Sequence, residues 1–468
     1  MEKFDVVIVG AGPCGYMAAY KLISEDPELR ILMVDQGEDI FDRPVPGVKK
    51  ENCGKKKIDK YDITRGFGGA GAFSDGKFNV TTQFGGWLGD YMGDGDVLNL
   101  IKYCDDVNLK FGATTEITNP YTDAVRMIEQ RAIGAGLMLL RASVRHLGTD
   151  GNYHILTEIR NYLGSKGIQF KFSTKVTDIR VESDKVKGIV LENGEEIEGR
   201  YVVMGVGREG ANSLSQMLRL HGVRTLNNRV DIGVRVETSN IVMQDINKNL
   251  YEGKFLFHTT QGTIVRTFCS NPSGHVVMES EDGVILANGH SFANPKLGSN
   301  NTNFALLVSH EFSEPFKDPN QFAKDVASLA NRLACGKVIL QRFGDLKNGR
   351  RSTPKRIKEG FVTPTLKEAV PGDLSLCMPY KTLRSIIEMI EALNYVTPGI
   401  ANEHTLLYGV EAKFYSDRPE VTNELETKAI KNLFCGGDGA GITRGLAQAG
   451  ASGVYIANNI LKRDERED

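Results

Sequence analysis

The fold of this chain is set near its start, where residues 4–15 read FDVVIVGAGPCG. The apolar run at residues 6–9 is typical of a strand buried on both faces of a parallel sheet. Gly10, Gly12 and Gly15 then form a GxGxxG turn before an apolar segment with helical spacing. In such a turn the first glycine allows the tight bend, the second lets a pyrophosphate approach the backbone, and the third lets the helix pack on the strand. The stretch therefore predicts an α/β dinucleotide-binding unit with a phosphate at the helix N-terminus.

An acidic residue supports this interpretation. Asp35 ends the next apolar run, at residues 30–34, and follows Gly15 by 20 positions. A carboxylate at that strand end is expected to accept hydrogen bonds from ribose hydroxyls and to disfavour the 2′-phosphate of NADP. An ordinary glycine turn is the alternative, but it explains neither the helix nor the acid.

The far end of the chain carries a second signature. Residues 433–450 read LFCGGDGAGITRGLAQAG and resemble the C-terminal motif of flavoproteins that have two dinucleotide-binding folds. In that family the aspartate at the strand end, here Asp438, meets the ribityl and pyrophosphate region of FAD. The following helix points its N-terminus at the flavin N1/C2=O edge, where the helix dipole stabilises negative charge. Two such signatures favour FAD over NAD as the bound dinucleotide.

A third glycine motif, YVVMGVGREG at residues 201–210, admits two interpretations. It could open a separate NAD(P)H-binding domain, or it could be the strand that rejoins the FAD sheet in the same flavoprotein fold. No strand-end acid follows it at the expected spacing, so the second interpretation is favoured.

Composition narrows the class of protein further. The chain has 468 residues, enough for two or three domains, and its 57 Lys+Arg and 59 Asp+Glu give a net charge of −2. We expect no nucleic acid partner and no stable membrane insertion, because no strong positive field or long apolar run is present. The first strand begins at once, without a signal peptide, so we expect a cytoplasmic protein.

The seven cysteines include no CxxC pair and no Cys/His cluster. We therefore expect neither a metal site nor a redox dithiol, which argues against the disulfide-reductase type of flavoenzyme.

Taken together, these motifs resemble a family: the poorly characterised FAD-dependent dehydrogenases, also called NAD(FAD)-utilising dehydrogenases. They are relatives of the geranylgeranyl reductase and fumarate reductase flavoproteins. The resemblance is carried by residues 66–77, 146–150, 230–237, 407–416 and the terminal Gly-Asp motif. One departure is at residues 267–274, TFCSNPSG, where relatives have a cysteine- and glycine-rich turn. The resemblance implies non-covalent FAD and an oxidoreductase activity, without naming a substrate.

The expected fold class is α/β: a Rossmann-type two-dinucleotide-binding FAD domain with an inserted, mixed α+β substrate domain built on an antiparallel sheet. The FAD domain is predicted to be discontinuous, from residues 1–80, 140–225 and 396–468, with 81–139 as a connecting or cap segment and 226–395 as the substrate domain. Period-two alternation at 230–237 and 274–279 predicts half-exposed strands. Two amphipathic helices are expected, one burying Phe322, Val326, Leu329 and Leu333, the other Leu383, Ile386, Ile387, Ile390 and Leu393.

Two sets of site residues follow. Those expected to hold the cofactor are Gly10, Ala11, Gly12, Pro13, Cys14, Gly15, Asp35, Gln36, Gly68, Gly69, Ala70, Gly71, Ser74, Val176, Gly205, Gly207, Gly437, Asp438, Gly445 and Leu446. Candidates for a catalytic or charge-bearing role are Lys77, Arg444, His290 and His404, since cations can bind an anionic substrate and histidine titrates near neutrality.

The leading functional hypothesis is an FAD-dependent reductase or dehydrogenase. It transfers hydride between the flavin and a C=C or C–N/C–H bond of a small anionic metabolite, with NAD(P)H as a candidate reduced electron donor. Two alternatives stay open: a flavin-dependent aromatic hydroxylase, and a non-enzymatic flavin-binding accessory protein.

Overall fold

The computed structural model describes residues 2–43, 64–74, 76–281, 283–291, 295–313 and 315–467. Asp75, inside the second glycine block, lies outside the described residues. The strands, in chain order, are β1 Lys3–Val9, β2 Ile31–Val34, β3 Lys77–Val80, β4 Leu137–Leu140, β5 Ser143–His146, β6 Gln169–Lys171, β7 Val176–Glu182, β8 Lys185–Leu191, β9 Glu196–Met204, β10 Thr225–Leu226, β11 Val230–Ser239, β12 Lys254–His258, β13 Ile264–Asn271, β14 His275–Glu281, β15 Val284–His290, β16 Asn301–His310, β17 Ile339–Arg342, β18 Val370–Pro371, β19 Leu406–Lys413, β20 Arg418–Pro419 and β21 Leu433–Cys435. The helices are α1 Pro13–Glu25, α2 Gly89–Met92, α3 Asp94–Lys110, α4 Asp123–Gly134, α5 Thr149–Ser165, α6 Ala211–Leu220, α7 Gln244–Asn249, α8 Pro319–Leu333, α9 Phe343–Lys347, α10 Pro354–Lys358, α11 Tyr380–Val396 and α12 Leu446–Glu467.

The first of two compact units comprises residues 1–118, 142–228 and 416–468. Its main sheet has the strand order β6-β2-β1-β9-β8-β7, and β21 pairs with the end of β9. Pairing is parallel from β6 through β9 and β21, and antiparallel among β7, β8 and β9. Residues 6–9 are buried, as expected for a central parallel strand. The mixed α/β, Rossmann-type fold predicted from the sequence is confirmed.

The second unit comprises residues 119–141 and 229–415. Its sheet has the order β18-β17-β19-β11-β16-β13-β12-β4 and is antiparallel apart from the β17–β18 pair. One face carries apolar residues such as Ile232, Val234 and Leu306, which share a core with helices α4, α8 and α11. The opposite face is rich in charged and polar side chains.

These unit boundaries differ from those drawn from the sequence. Residues 119–141 form α4 and the edge strand β4, which pairs with β12 in the second unit. Strand β19 lies between β17 and β11, so residues 396–415 also fall in the second unit. Long-range strand pairing decides both cases, and pairing of this kind leaves no local mark in a sequence.

Two details of the second unit also differ from expectation. Strand β11 is buried from Val230 to Thr238 rather than half exposed. In α8 the buried residues are Pro319, Ala323, Val326, Ala327 and Ala330, whereas Leu329 and Leu333 are exposed. The small alanines form the packing stripe there, so the buried face is rotated from the one that the large apolar residues indicated.

Within the part of the chain that the structure describes, no helix has the length and apolar character needed to cross a bilayer.

Candidate cofactor site

The glycine turn between β1 and α1 has the geometry that a pyrophosphate site needs. A Cβ on Gly15 would lie 1.9 Å from the Gly10 carbonyl oxygen, and a Cβ on Gly10 would lie 2.7 Å from the Gly205 carbonyl oxygen. A Cβ on Gly12, by contrast, would have no described atom within 4 Å. Gly10 and Gly15 are therefore glycines for internal packing, whereas Gly12 faces open space.

Helix α1 leaves its N-terminal donors without a side-chain cap. Gly12 is the N-cap residue, Pro13 occupies the first turn, and that turn contains no acidic residue. Tyr16 N–H donates to the Gly12 carbonyl at 3.0 Å, so the N–H groups of Cys14 and Gly15 precede the first hydrogen bond of the helix. These donors, at the positive end of the helix dipole and beside the open side of Gly12, fit a diphosphate.

Asp35 has a different set of partners from the one expected. Its carboxylate accepts hydrogen bonds from the backbone N–H groups of Ala11, Gly37 and Gly66, each at 2.8 Å. A carboxylate offers about four acceptor positions, so roughly one is left for a ribose hydroxyl. Asp35 therefore holds together the loops around the glycine turn at residues 10–15, which we call the cradle.

The second glycine block lies against the first. Gly68 N–H donates to the Ala11 carbonyl at 2.9 Å, and a Cβ on Gly69 would lie 3.4 Å from the Gly12 Cα. The block is held by Arg43, which is 3% exposed and donates from Nη1 to the carbonyls of Phe67 at 2.6 Å and Gly69 at 3.0 Å. Sequence reasoning missed Arg43, because a single arginine in an irregular stretch gives no signal of its tertiary role.

The glycine motif at the end of β9 joins the same cradle. Strand β9 pairs in parallel with β1, with Val6 opposite Tyr201. Gly439 N–H donates to the Val206 carbonyl at 3.0 Å, and a Cβ on Gly207 would meet nothing within 4 Å. The motif is therefore part of the first sheet, as the favoured interpretation of the sequence had it.

Asp438 links the strand-end loop to the start of α12. Its carboxylate accepts hydrogen bonds from Thr443 Oγ1 at 2.8 Å and from the Gly445 backbone N–H at 3.0 Å. Burial raises the pKa of Asp438, and those two hydrogen bonds together with the nearby Arg208 and Arg444 oppose the rise. Gly445 is exposed, and its absent Cβ would have nothing within 4 Å. The N-terminal end of α12 is thus open to a ligand, with no acid in its first turn.

The other predicted cofactor residues fall nearby with varied surroundings. Ser74 Oγ donates to the Gly71 carbonyl at 2.8 Å, and a Cβ on Gly71 would lie 2.7 Å from Leu446 Cδ2. Val176 begins β7 and is half-buried, as is Gln36, which directly follows Asp35. The Cys14 side chain is buried, and its Sγ would lie 3.0 Å from a Cβ on Gly436, so this thiol points into the protein interior.

The structure places two of the four candidate catalytic residues in each unit. Lys77 begins β3 opposite His146, and Arg444 donates its backbone N–H to the Gly85 carbonyl at 2.7 Å. Both belong to the first unit, whereas His290 and His404 belong to the second. His290 is exposed at the end of β15.

His404 has structural partners within the second unit. Its Nδ1 lies 3.4 Å from Arg342 Nη1, and its ring packs edge-on against Phe361 at 4.7 Å. These contacts describe a packed polar residue.

Three known protein families match parts of this chain. Residues 229–414 match the family described as FAD-dependent protein, C-terminal domain-like. Residues 128–241 match the pyridine nucleotide-disulphide oxidoreductase family, and residues 361–468 match the glucose inhibited division protein A family.

Two curated relatives align over much of the chain. An uncharacterized protein of Clostridium beijerinckii is 27% identical over 98% of this chain and 81% of its own length. The tRNA uridine 5-carboxymethylaminomethyl modification enzyme of Wolinella succinogenes is 25% identical over 62% of this chain and 45% of its own length.

Solved structures that superpose on the chain include E. coli quinol fumarate reductase, with a TM-score of 0.41 and 15% identity over 100% of this chain and 72% of that one. Glycine oxidase from Geobacillus kaustophilus superposes with a TM-score of 0.38 and 12% identity, over 99% of this chain and 95% of that one. The family matches confirm the resemblance drawn from the sequence motifs: this chain carries FAD-dependent oxidoreductase domains, and it is an oxidoreductase of mixed α/β fold.

Proposed function

We propose that this protein is an FAD-dependent reductase or dehydrogenase that transfers hydride between the flavin and a C=C or C–N/C–H bond of a small anionic metabolite, with NAD(P)H as the candidate electron donor. The observation that carries the proposal is the open cradle at Gly12, beside the uncapped N-terminus of α1. Gly207 and Gly445 also have open space where a Cβ would stand. These three positions follow β1, β9 and β21, which are parallel neighbours in one sheet, and they fit an extended dinucleotide.

The chain's own residues supply binding and electrostatics. The N–H groups at the start of α1 bind the diphosphate, and Asp35 holds Ala11 and Gly66 in position around it. Asp438 orders the turn that leads into α12 by accepting from Thr443 and Gly445. The N-terminal end of α12 stabilises negative charge on a group that binds next to it. When bound, FAD supplies the hydride chemistry itself.

The thiols near the cradle argue for flavin-linked hydride transfer over thiol exchange. Burial raises the pKa of Cys14 to about 12, and burial likewise raises the pKa of Cys104 and Cys435. The thiolate is the reactive form of cysteine, so these groups are inert near neutral pH.

The test begins with the purified protein and its visible spectrum. We expect bound, extractable FAD that NADH or NADPH reduces under anaerobic conditions, and a slow reaction of the reduced protein with oxygen. A protein that takes up no FAD on reconstitution would refute the proposal. Oxygen consumption coupled stoichiometrically to a hydroxylated product would instead support the hydroxylase.

A second candidate, action on tRNA, is favoured by one segment of the second unit. Residues 350–358 carry five cations, Arg350, Arg351, Lys355, Arg356 and Lys358. Arg351 and Lys358 are exposed and have no carboxylate partner among the described residues. The related Wolinella enzyme is named for tRNA modification, whereas the net charge of −2 argues against a nucleic acid partner.

Gel-shift titration with bulk tRNA at two salt concentrations tests this candidate. If tRNA is the substrate, the double variant R351Q/K358Q should bind it at least tenfold more weakly, and the matched exposed variant K367Q should not. Absence of binding by the unaltered protein at low salt eliminates the candidate.

A further inference from the structure

The polar face of the second unit's sheet is unusual because it buries charge without completing its hydrogen bonds. Arg235 on β11 and Glu411 on β19 are both 0% exposed, and Arg235 Nε lies 3.6 Å from Glu411 Oε2. Neither carboxylate oxygen of Glu411 has a hydrogen-bond partner among the described residues. Arg235 Nε also lacks one there. Buried polar groups in native proteins are nearly always hydrogen-bonded, so such a cluster requires an explanation.

The strands are irregular at the same place. The β11–β19 register shifts between Gly233 and Arg235, and the β13–β16 register shifts between Phe268 and Asn271. Cys269, inside the second irregularity, has a φ of +43°, an uncommon conformation for a residue other than glycine. The Cys269 carbonyl accepts from Arg235 Nη1 at 3.2 Å. Bulges and strained residues of this kind concentrate at functional sites.

The hairpin of β14 and β15 packs closely against the Arg235 guanidinium. Gly289, on the hairpin of β14 and β15, has no side chain, and a Cβ there would lie 2.2 Å from Arg235 Nη2. Arg235 Nη2 also donates to Asn288 Oδ1 at 3.3 Å. The hairpin therefore covers the guanidinium on one side and fixes its orientation.

Next to this buried pair, the same sheet face carries further buried and half-buried cations, two of them beside one aromatic ring. The Phe268 ring lies 5.6 Å from Lys254 Nζ and 6.0 Å from Arg266 Cζ. Lys413 Nζ lies 3.4 Å from Glu411 Oε1, and its side chain is 13% exposed. Burial and the nearby Glu252 carboxylate raise the pKa of the Cys269 thiol, while Arg235, Lys413 and Lys254 act in the opposite direction. Three cations and one anion therefore influence this thiol.

Each of these cations has an acidic neighbour among the described residues. Lys254 pairs with Glu252 at 3.3 Å, Arg266 pairs with Asp231, and Lys413 shares Glu411 with Arg235. Two cations thus depend on one carboxylate that neither approaches closely. A lysine ammonium has three donors, and an anion bound at Lys413 would use those that Glu411 does not.

We infer that Lys254, Arg266, Phe268, Cys269 and Lys413 form a binding site for a small organic carboxylate. We name it the sheet anion site. Lys413 is the residue that binds the carboxylate, Phe268 packs against its apolar part, and the buried Arg235–Glu411 pair is a positioning element. This inference rests on the proposed function, since it gives the substrate of that oxidoreductase a chemical class.

Benzoate is the probe, with benzamide as its neutral counterpart. Isothermal titration calorimetry on the full-length protein should give a benzoate Kd at least tenfold weaker for K413Q than for the unaltered protein. The conservative variant K413R should stay within threefold, and the exposed control K367Q should be unchanged. Equal benzoate affinity for the unaltered protein and K413Q, no benzoate binding at all, or equal binding of benzamide would each overturn the inference.

A second measurement locates the probe without relying on the flavin or on variants. At an alkaline pH, where both thiols react measurably, iodoacetate, which is an anion, should alkylate Cys269 faster relative to neutral iodoacetamide than it alkylates the exposed Cys335. Peptide mass spectrometry reads both rates. Saturating benzoate should protect Cys269 and leave Cys335 unaffected. Lack of protection would place benzoate elsewhere and reject the site.

The two proposals can fail separately. FAD content and NAD(P)H reduction are measured on the same preparations. An unaltered protein that binds benzoate at Cys269 but holds no FAD would refute the oxidoreductase proposal alone. A protein that holds FAD and accepts electrons, yet shows no benzoate binding, would refute only the sheet anion site.

Discussion

The carboxylate of Asp35 accepts a hydrogen bond from the backbone N–H of Gly66 at 2.8 Å, across 31 residues of chain. Gly66 begins the second glycine block, so this bond joins two segments that the sequence presents separately. Because the same carboxylate also accepts from Ala11, one side chain sets the position of both walls of the cradle.

Removing that carboxylate should destabilise both segments that it holds, the turn at Ala11 and the block that begins at Gly66. We expect D35A to lower the free energy of unfolding by about 1.5–3 kcal/mol and to weaken FAD retention, since three backbone donors lose a charged acceptor. Urea unfolding and FAD titration measure the two effects. Asp5, which accepts one backbone N–H from Arg30 at 2.8 Å, provides the control, and D5A should cost less and leave FAD binding intact. Equal losses in D5A and D35A would contradict this role.

Gly12 and Gly15 should respond in opposite ways to the same substitution. In G12A the added methyl group meets open space and the backbone φ of −76° suits alanine, so the fold should keep its stability. The methyl group would occupy the approach to the pyrophosphate, and FAD affinity should fall at least tenfold, about 1.4 kcal/mol.

In G15A the methyl group would meet the Gly10 carbonyl at 1.9 Å, and the free energy of unfolding should fall by about 1–3 kcal/mol or more. Thermal melts of the FAD-free proteins separate the two cases. If G12A melts as early as G15A, or if it retains FAD normally, the open side of Gly12 is not a pyrophosphate site.

Asp438 should give stability a specific pH dependence. Burial raises its folded-state pKa above the ordinary value of 3.8, so the folded chain holds the proton more tightly than the unfolded chain. The free energy of unfolding therefore falls as pH rises through the interval between those two pKa values. D438N cannot ionise and should lack this component.

Urea unfolding of the FAD-free proteins from pH 4 to pH 7 should show the unaltered protein losing stability relative to D438N. A difference that does not change with pH would reject the raised pKa.

On the polar face of the second sheet, Glu237 and Tyr408 should be energetically coupled. Glu237 is 0% exposed and accepts from the Tyr408 hydroxyl, from Thr365 Oγ1 at 2.6 Å and from Asn301 Nδ2 at 3.0 Å. E237A removes the acceptor that these donors share and leaves Asn301 Nδ2 with only the Thr363 carbonyl, so the free energy of unfolding should fall by about 2 kcal/mol or more.

A double-mutant cycle with Y408F checks this assignment. The two losses should add to more than the loss in the double variant, with a coupling of about 0.5–3 kcal/mol. Strict additivity would show that the pair does not interact.

The first unit could be predicted from sequence because its signals are local. The strand at residues 4–9, the glycines that follow and the helix after them are consecutive, and each residue type has one physical task there. The sequence predicts a carboxylate at this strand end but not its bonds to residues 11, 37 and 66, because those bonds depend on how distant loops fold together.

In the second unit, the burial of the polar face of β11 could not be predicted from the sequence, for a different reason. Alternation at residues 230–237 predicts one solvent-exposed face, and the charged residues of this stretch, Asp231, Arg235 and Glu237, do share one side of β11. That side is covered, however, by the hairpin that brings Gly289 over Arg235, and nothing in the spacing of β11 indicates a cover. Side chains that resemble a solvated face are therefore buried and paired.

The order of the segments also constrains how the chain is made. The first unit needs residues from the beginning, the middle and the last 53 positions, because β21 pairs with β9 and α12 packs against α1. On the ribosome, β1 and α1 are made long before those partners, whereas every segment of the second unit exists once residue 415 has been added. Vectorial synthesis thus favours a nascent chain whose second unit folds first, while β9 and α1 lack their partners until β21 and α12 have been made.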